Sequence, residues 1–459
     1  MPMSSHNHSP KVLVIASAFP PTGGPGVQRT LKFVKYLPQF GWSPVVWTLD
    51  RCSGLPTDET LLSDVPGGVV IHRREGGHRA MPTLMESIHR CAGKPGLFGA
   101  AARRFDWRLR ARHAGASFPD ELASWAEASV SPILRVIAEL GIDVLYSTFS
   151  PASNHLLAMK IREATGLPWV ADFRDLWTDD YRYREPSAPL RSAHRRLEQE
   201  FLESADIVIG VSDRQTNILA SHVPARRDQF VTITNGFDPE DFDNCSDGPE
   251  VATNGDRFVL AHVGRFDRWR TPGVFFEGLL RFFRETEAAG ESFELRIVGH
   301  IDRVTASRVD ATGVTWSATG EVSHGEAIRE MRRADALLLN VPDGPNADSV
   351  IPAKVFEYLA ARRPILVVGP VDGEAERIVQ SQRAGLAANF DAGDIGRAIG
   401  RLFGAWNNGS LAELYDPCDI DQFSRVVLTK RLAKRFDGLA ARASDKRDPQ
   451  TAPLETVAS

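Results

Sequence analysis

Three stretches of this sequence combine residue types and spacings that can do chemistry. In Gly264-Arg265-Phe266-Asp267-Arg268-Trp269-Arg270, two guanidiniums, Arg265 and Arg270, lie five positions apart behind Gly264. Guanidinium forks grip paired phosphate oxygens through charge-assisted hydrogen bonds. Solvated surface arginines are the competing reading. In Ser349-Val350-Ile351-Pro352-Ala353-Lys354-Val355-Phe356-Glu357, a proline near a helix start precedes Lys354 and, three positions on, Glu357. Both side chains then share one side of the first turns. Amide ends and an ammonium suit phosphate, and a carboxylate one turn deeper suits the vicinal hydroxyls of a ribose. A helix-surface Lys–Glu pair worth about 0.2–0.5 kcal/mol is the plainer alternative. The third stretch is the turn Gly23-Gly24-Pro25-Gly26, where glycines permit close backbone approach ahead of a helix start. It is not the G-x-G-x-x-G fingerprint of a dinucleotide fold, and an ordinary strand-to-helix turn has the same look.

Other candidates are less self-contained. Asp172, Arg174 and Asp175 follow an apolar run, so a charged cluster is expected at a strand end, and unpaired burial there is costly. It serves either a site or a loop-locking salt bridge. His155 opens a helix and stands equally as an acceptor contact or as a capping or packing residue. His300, at a second-domain strand end, is weaker. The run Arg103 to Arg112 mixes five arginines with Phe105, Trp107 and Leu109. It reads as a solvated, partly packed helix or as a helix touching anionic lipid.

The elements that must position these residues are legible from hydrophobic runs. Lys11–Ala16 and Arg257–Val263 are apolar enough for strands buried on both faces. Further runs are expected as strands at Pro44–Leu49, Val69–His72, Asp143–Ser147, Trp169–Ala171, Ile207–Val211, Val231–Thr234, Leu295–Val298, Ala336–Asn340 and Ile365–Val368. Strands alternating with helices imply two parallel α/β sheets. The expected organisation is a first Rossmann-like domain over 10–242 with an insertion at about 76–118, and a polar linker over 243–256. A second Rossmann-like domain follows over 257–415, then a C-terminal helix over 416–442 and a disordered tail over 443–459. The apolar stripe of that helix must pack on something, and the first domain is the candidate.

A chain of 459 residues suits two domains, and its 42% hydrophobic and 25% charged content is that of a globular protein. A formal charge of -5 argues against a general nucleic-acid binder. The cysteines, Cys52, Cys91, Cys245 and Cys418, are scattered, which speaks against a zinc site or a disulfide framework. The polar N-terminus lacks a signal-like run, and no apolar stretch reaches the ~20 residues of a membrane span. The expected setting is cytoplasmic, with peripheral contact at the inner membrane face as an option.

Taken together, these motifs resemble the GT-B-fold glycosyltransferases, closest to family 4, the retaining group-1 enzymes, from Lys11 to about Gly438. Phe19-Pro20-Pro21-Thr22-Gly23-Gly24 is similar to that family's opening turn, which with Gly26, His155, Asp172, Arg174 and Asp175 is expected to face the acceptor. The resemblance implies that Gly264, Arg265 and Arg270 meet the donor diphosphate with Lys354, where Arg270 stands in for a lysine. It also implies that Glu357, in Val355-Phe356-Glu357-Tyr358-Leu359-Ala360, holds the ribose. Gly299, the loop of Glu321 and Val322, and residues Ser349, Val350, Ile351, Pro352 and Ala353 complete the implied donor site. Ala171-Asp172-Phe173-Arg174-Asp175-Leu176-Trp177 resembles a block of one bacterial branch, as do Ser147–Pro151 and Thr234–Asp238.

The family signature places a glutamate eight positions before Glu357, where this sequence has Ser349. Asp343, Asp348 or the amides of Val350 to Ala353 are the candidate substitutes. The expected activity is transfer of a sugar from a nucleotide-diphosphate donor to a glycan, lipid-linked or small-molecule acceptor, with retention and without a metal or other cofactor. A surface-polysaccharide pathway is what the family suggests. A sugar-nucleotide epimerase of the same fold and an inactive sugar-nucleotide-binding subunit are the alternatives.

Overall fold

A computed structural model of the protein describes residues 9–52, 55, 57–75, 118–185, 187–243, 256–286 and 290–447. The expected insertion and its arginine run, most of the linker and the end of the tail lie outside the described residues. The first domain alternates β1 (Lys11–Ile15), α1 (Pro25–Tyr36), β2 (Ser43–Leu49), β3 (Val70–Arg74), α2 (Ala123–Leu140), β4 (Val144–Phe149), α3 (Ala152–Thr165) and β5 (Trp169–Phe173). It continues through α4 (Ala188–Ser204), β6 (Ile207–Gly210), α5 (Asp213–Ser221), β7 (Phe230–Thr232) and α6 (Pro239–Asp243). Its described strands form one parallel sheet in the order β3-β2-β1-β4-β5-β6-β7. Strand β1 is apolar at successive positions because both faces are covered. Leu13 and Ile15 enter one core layer, and Val12 and Val14 enter the opposite one.

The second domain repeats the plan with β8 (Phe258–Val263), α7 (Gly273–Glu285), β9 (Phe293–Val298), α8 (Arg303–Asp310), β10 (Thr315–Ala318) and α9 (His324–Arg333). Then come β11 (Ala336–Asn340), α10 (Lys354–Ala361), β12 (Ile365–Val368), α11 (Glu374–Ser381), β13 (Gly385–Ala388) and α12 (Ala392–Asn407). Its parallel order is β10-β9-β8-β11-β12-β13. Both sheets reverse direction at their first strand, between β1 and β4 and between β8 and β11. A crevice forms at the carboxyl ends where the order reverses. The glycine turn follows β1 and the Gly264 loop follows β8, so topology alone sets both motifs at crevices.

Strands β10 and β13 carry no long apolar run. The first is a largely exposed edge, and the second is built from Gly385, Leu386, Ala387 and Ala388. Helix α13 (Arg425–Arg447) starts later than the periodicity suggested, because short 3₁₀ turns at Leu411–Leu414 and Ile420–Phe423 intervene. Its start is fixed by Ser424 Oγ accepting from Val427 N–H at 3.3 Å, and it continues past 442. The helix returns to the first domain, where Leu428, Leu432, Phe436 and Leu439 are buried with residues of β1, α1 and β4. Each such side chain contributes about 1.5–3 kcal/mol on burial. Trp42 seals the contact, with ring centroids 5.1 Å from Phe436 and Nε1–H donating to Asp437 Oδ1 at 2.8 Å.

The domains also touch beside the cleft. Ser212 Oγ donates to the Ser349 carbonyl at 2.8 Å, and Asn346 Nδ2 donates to the Asp179 carbonyl at 2.9 Å. Glu374 accepts the Arg214 amide at 2.8 Å, while the Arg214 guanidinium pairs with Asp348.

Candidate functional site

On the second-domain wall, the loop after β8 is organised by a residue that sequence inspection passed over as filler. Asp267, buried, accepts the amides of Trp269 and Arg270 at 3.1 Å each. The same carboxylate holds Arg270 Nη1 at 2.6 Å and lies 3.7 Å from Arg265 Nε. Both guanidiniums are therefore steered to one side of the loop while remaining more than half exposed, at 65% and 51%. Gly264 has φ 115°, and a Cβ there would press on the Lys354 ammonium. Gly299, at φ 135°, backs directly onto the Gly264 carbonyl.

Lys354, the first residue of α10, donates Nζ–H to the Val263 carbonyl at 2.5 Å and lies 3.3 Å from His262 Nε2. No side chain caps the start of this helix. Burial pulls Lys354 down to about 8; Glu357 opposes that shift and Arg270 adds to it. His262 Nδ1 lies 3.1 Å from the Leu338 carbonyl, and Nε2 lies 3.3 Å from both the Arg265 carbonyl and the Lys354 ammonium. Burial, reinforced by Lys354, holds His262 well below the ordinary range, so it is neutral. Glu357 makes no hydrogen bond to a described residue. Burial raises its carboxyl above the usual value, with His324 opposing. Arg270, Lys354 and Glu357 thus share one electrostatic environment at the carboxyl edge of the sheet, with Arg265 on the same loop.

Of the other expected donor residues, Glu321 is exposed and Val322 packs half-buried against the second core. Ile351 is buried, Val350 and Pro352 are half-buried, and Ala353 is exposed. Ser349 is 3% exposed, and its hydroxyl turns back to donate to the Asn346 carbonyl at 2.7 Å. The side chain at this position therefore reinforces its own turn, and its carbonyl belongs to the interdomain contact with Ser212. Asp348 is occupied by Arg214, while Asp343 is exposed.

On the first-domain wall, Gly24 begins α1 at φ 110° without a side-chain cap. A Cβ on Gly26 would collide with the Arg174 guanidinium, so the glycine turn and Arg174 are brought together. Arg174 Nη2 donates to the Ser150 carbonyl at 3.0 Å, and its buried Nε has no partner among the described residues. Asp175 pairs with Arg182 at 3.0 Å, and Arg182 lies over the Tyr181 ring. Arg174, Tyr181 and Arg182 face Asn346, Ser349 and Ile351 across a small cavity of about 70 Å³, open to solvent.

Two expected acceptor contacts are corrected. Asp172 is fully buried, bridged to Arg29 by bonds of 2.8 Å to each oxygen, and accepts from Tyr146 Oη at 2.6 Å. It fastens α1 to β5 rather than facing the cleft. His155 is fully buried among Phe149, Trp169, Phe173 and Phe201. Trp169 donates to Ser147 Oγ at 2.8 Å, and Ser147 Oγ meets His155 Nδ1 at 2.7 Å. Burial lowers His155 to about 3, which makes it a neutral core residue. The exposed His300 lends only its carbonyl, to the Phe266 amide at 2.8 Å.

Arg29 had a signal, since it closes the glycine-turn stretch, but α-helical arginines are common and its partner lies 143 positions away. A neighbouring network joins Lys32 and Lys35 of α1 to Asp64 and Asp238, with Tyr36 Oη donating to Asp238 at 2.5 Å. Burial would raise Asp238, yet Lys32 and its other partners bring it to about 2. Asp64, Asp238 and Asp241 converge closely enough to hold a cation, and the Lys32 ammonium already sits among them.

Two parallel-sheet domains closing on a cleft, with the last helix crossing back to the first, define the GT-B fold. Residues 26–241 match the family described as Glycosyltransferase Family 4. Over those residues the chain is similar to that family, and its two described domains have the GT-B fold. Sucrose-phosphate synthase from Thermosynechococcus elongatus superimposes with a TM-score of 0.61 at 14% identity, over 94% of this chain and 100% of that one. HepE from Anabaena, solved with UDP and glucose, gives 0.59 at 14% identity, over 93% and 99%. A UDP-N-acetylglucosamine 2-epimerase from Listeria monocytogenes gives 0.53 at 13% identity, over 95% and 97%. No curated protein matches the sequence.

Proposed function

We propose that this protein transfers a sugar from a nucleotide-diphosphate donor to an acceptor entering between its domains, with retention at the anomeric carbon. The observation that carries this reading is the convergence of Arg265, Arg270, Lys354 and Glu357 on the crevice after β8. Bond cleavage at the anomeric carbon leaves negative charge on the diphosphate. Preorganised cations and the uncapped start of α10 stabilise that charge where it develops. Arg265 and Arg270 supply directional forks and Lys354 a point charge, so the protein's own groups do the work a divalent cation does elsewhere. Glu357 accepts from the ribose. Arg174 and Arg182 line the acceptor side and suit an anionic group, such as a phosphate linking a sugar to a lipid.

The test is calorimetric binding of UDP and GDP, followed by donor hydrolysis and transfer to a panel of glycan and lipid-linked acceptors. Arg265→Ala and Lys354→Ala are each expected to lower turnover on the order of a hundredfold. Nucleotide affinity indifferent to both substitutions overturns the site. The anomeric configuration of the product, read by NMR, tests retention.

One observation favours a second reading. With the Ser349 hydroxyl turned into its own turn and Asp348 held by Arg214, neither residue offers a free carboxylate where the family signature has its first glutamate. A nucleotide-binding subunit without turnover accommodates this. Nucleotide binding with neither hydrolysis nor transfer across the panel decides in its favour.

A further inference from the structure

The segment that joins β11 to α10 is shaped from outside its own domain. Gly344 has φ 153°, and a Cβ there would press on Tyr181 of the first domain. Glycine tolerates both that dihedral and that approach. Asn346, held at φ 55°, donates from Nδ2 to the Asp179 carbonyl at 2.9 Å. Asp348 pairs with Arg214, and the Ser349 carbonyl accepts from Ser212 Oγ at 2.8 Å. Gly344, Asn346, Asp348 and Ser349 thus each meet a first-domain group before the chain runs through Val350 to Ala353 into Lys354.

Arg214 ties these contacts together. It is the second residue of α5, whose start is set by Ser212 Oγ accepting from the Gln215 amide at 3.1 Å. Its own amide donates to Glu374, which is 7% exposed, at 2.8 Å. A carboxylate of the second domain thereby meets the positive end of a first-domain helix. The guanidinium reaches further, Nη1 to Asp348 and Nη2 to the Asp372 carbonyl at 2.9 Å. Asp372, like Asn346, is a non-glycine residue in the left-handed region, at φ 55°. Such a conformation persists where surrounding contacts hold it. The Arg214 and Asp348 side chains are 29% and 37% exposed, so the ion pair by itself adds little stability. What it adds is geometry, since one planar fork fixes two separate segments relative to each other.

A donor whose diphosphate meets the start of α10 and whose ribose lies deeper along that helix must extend its sugar toward the first domain, where this segment lies. We infer that Arg214 is a positioning residue for the proposed transfer. By fixing Asp348 and the Asp372 carbonyl together, it sets residues 344–353 into the donor site, so the side of the site that faces the sugar is complete only while the domains are docked. This rests on the donor-site reading above and adds a first-domain residue to it. The diphosphate grip should not depend on Arg214. Arg265 and Arg270 are steered by Asp267 within the loop after β8, and Lys354 is anchored on the Val263 carbonyl inside its own domain.

The experiment compares the full chain with Arg214→Ala, Asp348→Asn and the double variant. Hydrogen exchange over residues 344–353, read by mass spectrometry, is expected to quicken about tenfold or more in each, since the segment loses its outside support. Calorimetric affinities are measured for UDP with UDP-glucose and for GDP with GDP-mannose. For the base that wild type binds, the diphosphate should stay within about twofold of wild type while the sugar nucleotide loses about tenfold. The double variant should add little to either single change, because both break one contact. Arg265→Ala should instead weaken both members of a pair alike and leave exchange over 344–353 unchanged. Thermal melts identify a variant that has lost its fold, and the other then carries the comparison. Unchanged exchange in a folded variant, an equal loss for diphosphate and sugar nucleotide, or additive losses in the double variant overturns the positioning role. Failure of wild type to bind either diphosphate overturns the donor site itself, and the exchange rates then still decide whether Arg214 holds the segment.

Discussion

Asp172→Asn isolates one part of the architecture. The substitution keeps the shape of the side chain and removes its charge from a pair exposed by 2% on Arg29 and not at all on Asp172. Arg29 would keep the Ile233 and Thr234 carbonyls, at 2.9 and 2.7 Å, but lose both charge-assisted bonds. Breaking a buried pair by removing one partner costs about 3–5 kcal/mol, because the remaining charge is left uncompensated. At roughly 2–4 °C per kcal/mol for a domain of this size, the first domain should melt roughly 6–20 °C lower by calorimetry. Replacing both partners, as in Arg29→Met with Asp172→Leu, should recover much of the loss, since neither charge is then stranded. A shift of only 1–2 °C for Asp172→Asn refutes the reasoning. A large drop in activity at unchanged melting temperature would instead return Asp172 to the acceptor side.

Lys354 titrates near 8 in the free protein, so diphosphate affinity should be highest below that pH. Affinity should fall by up to about tenfold per unit as pH rises through it, until the anion's own upward pull on the ammonium ends the slope. Calorimetric UDP binding from pH 6.5 to 9.5 measures this, and a flat profile contradicts it. His155, near 3 when folded and close to 6.5 when unfolded, makes the unfolded chain bind more protons between those values. Stability should therefore drop as pH falls from 6.5 toward 3, by up to about 1.4 kcal/mol per unit, and His155→Phe should flatten that limb in urea titrations. An unchanged limb in the variant removes His155 as the cause. If the cations alone carry the leaving group, EDTA should leave turnover within about twofold, and a loss restored by Mg²⁺ shows otherwise.

Hydrophobic runs in the sequence were sufficient for most strands and for the two-sheet plan, because a strand buried on both faces must be apolar at every position. They were silent on β10 and β13, whose edge positions need no apolar side chains. Gly264, Arg265, Arg270, Lys354 and Glu357 were legible because their spacing within one loop and one helix turn is a local property. Asp172 and Arg174 show the limit of such reading. Both follow the same apolar run, yet one is sealed under Arg29 and the other opens into the cleft. Asp172 lies within β5, on the face that α1 covers, whereas Arg174 falls just past the strand's last residue, Phe173, where the chain has left the sheet. His155 was likewise undecidable until its helix face was seen turned into the aromatic core. His262 emerged from packing alone, as Leu338 and Lys354 lie far away in the chain, while Asp267 acts within its own loop through a turn that only the structure displays. Sequence determines which groups are available and which local spacings they keep. Long-range contacts determine which charges are quenched and which are left for a ligand, since compensation of a buried charge depends on everything packed around it.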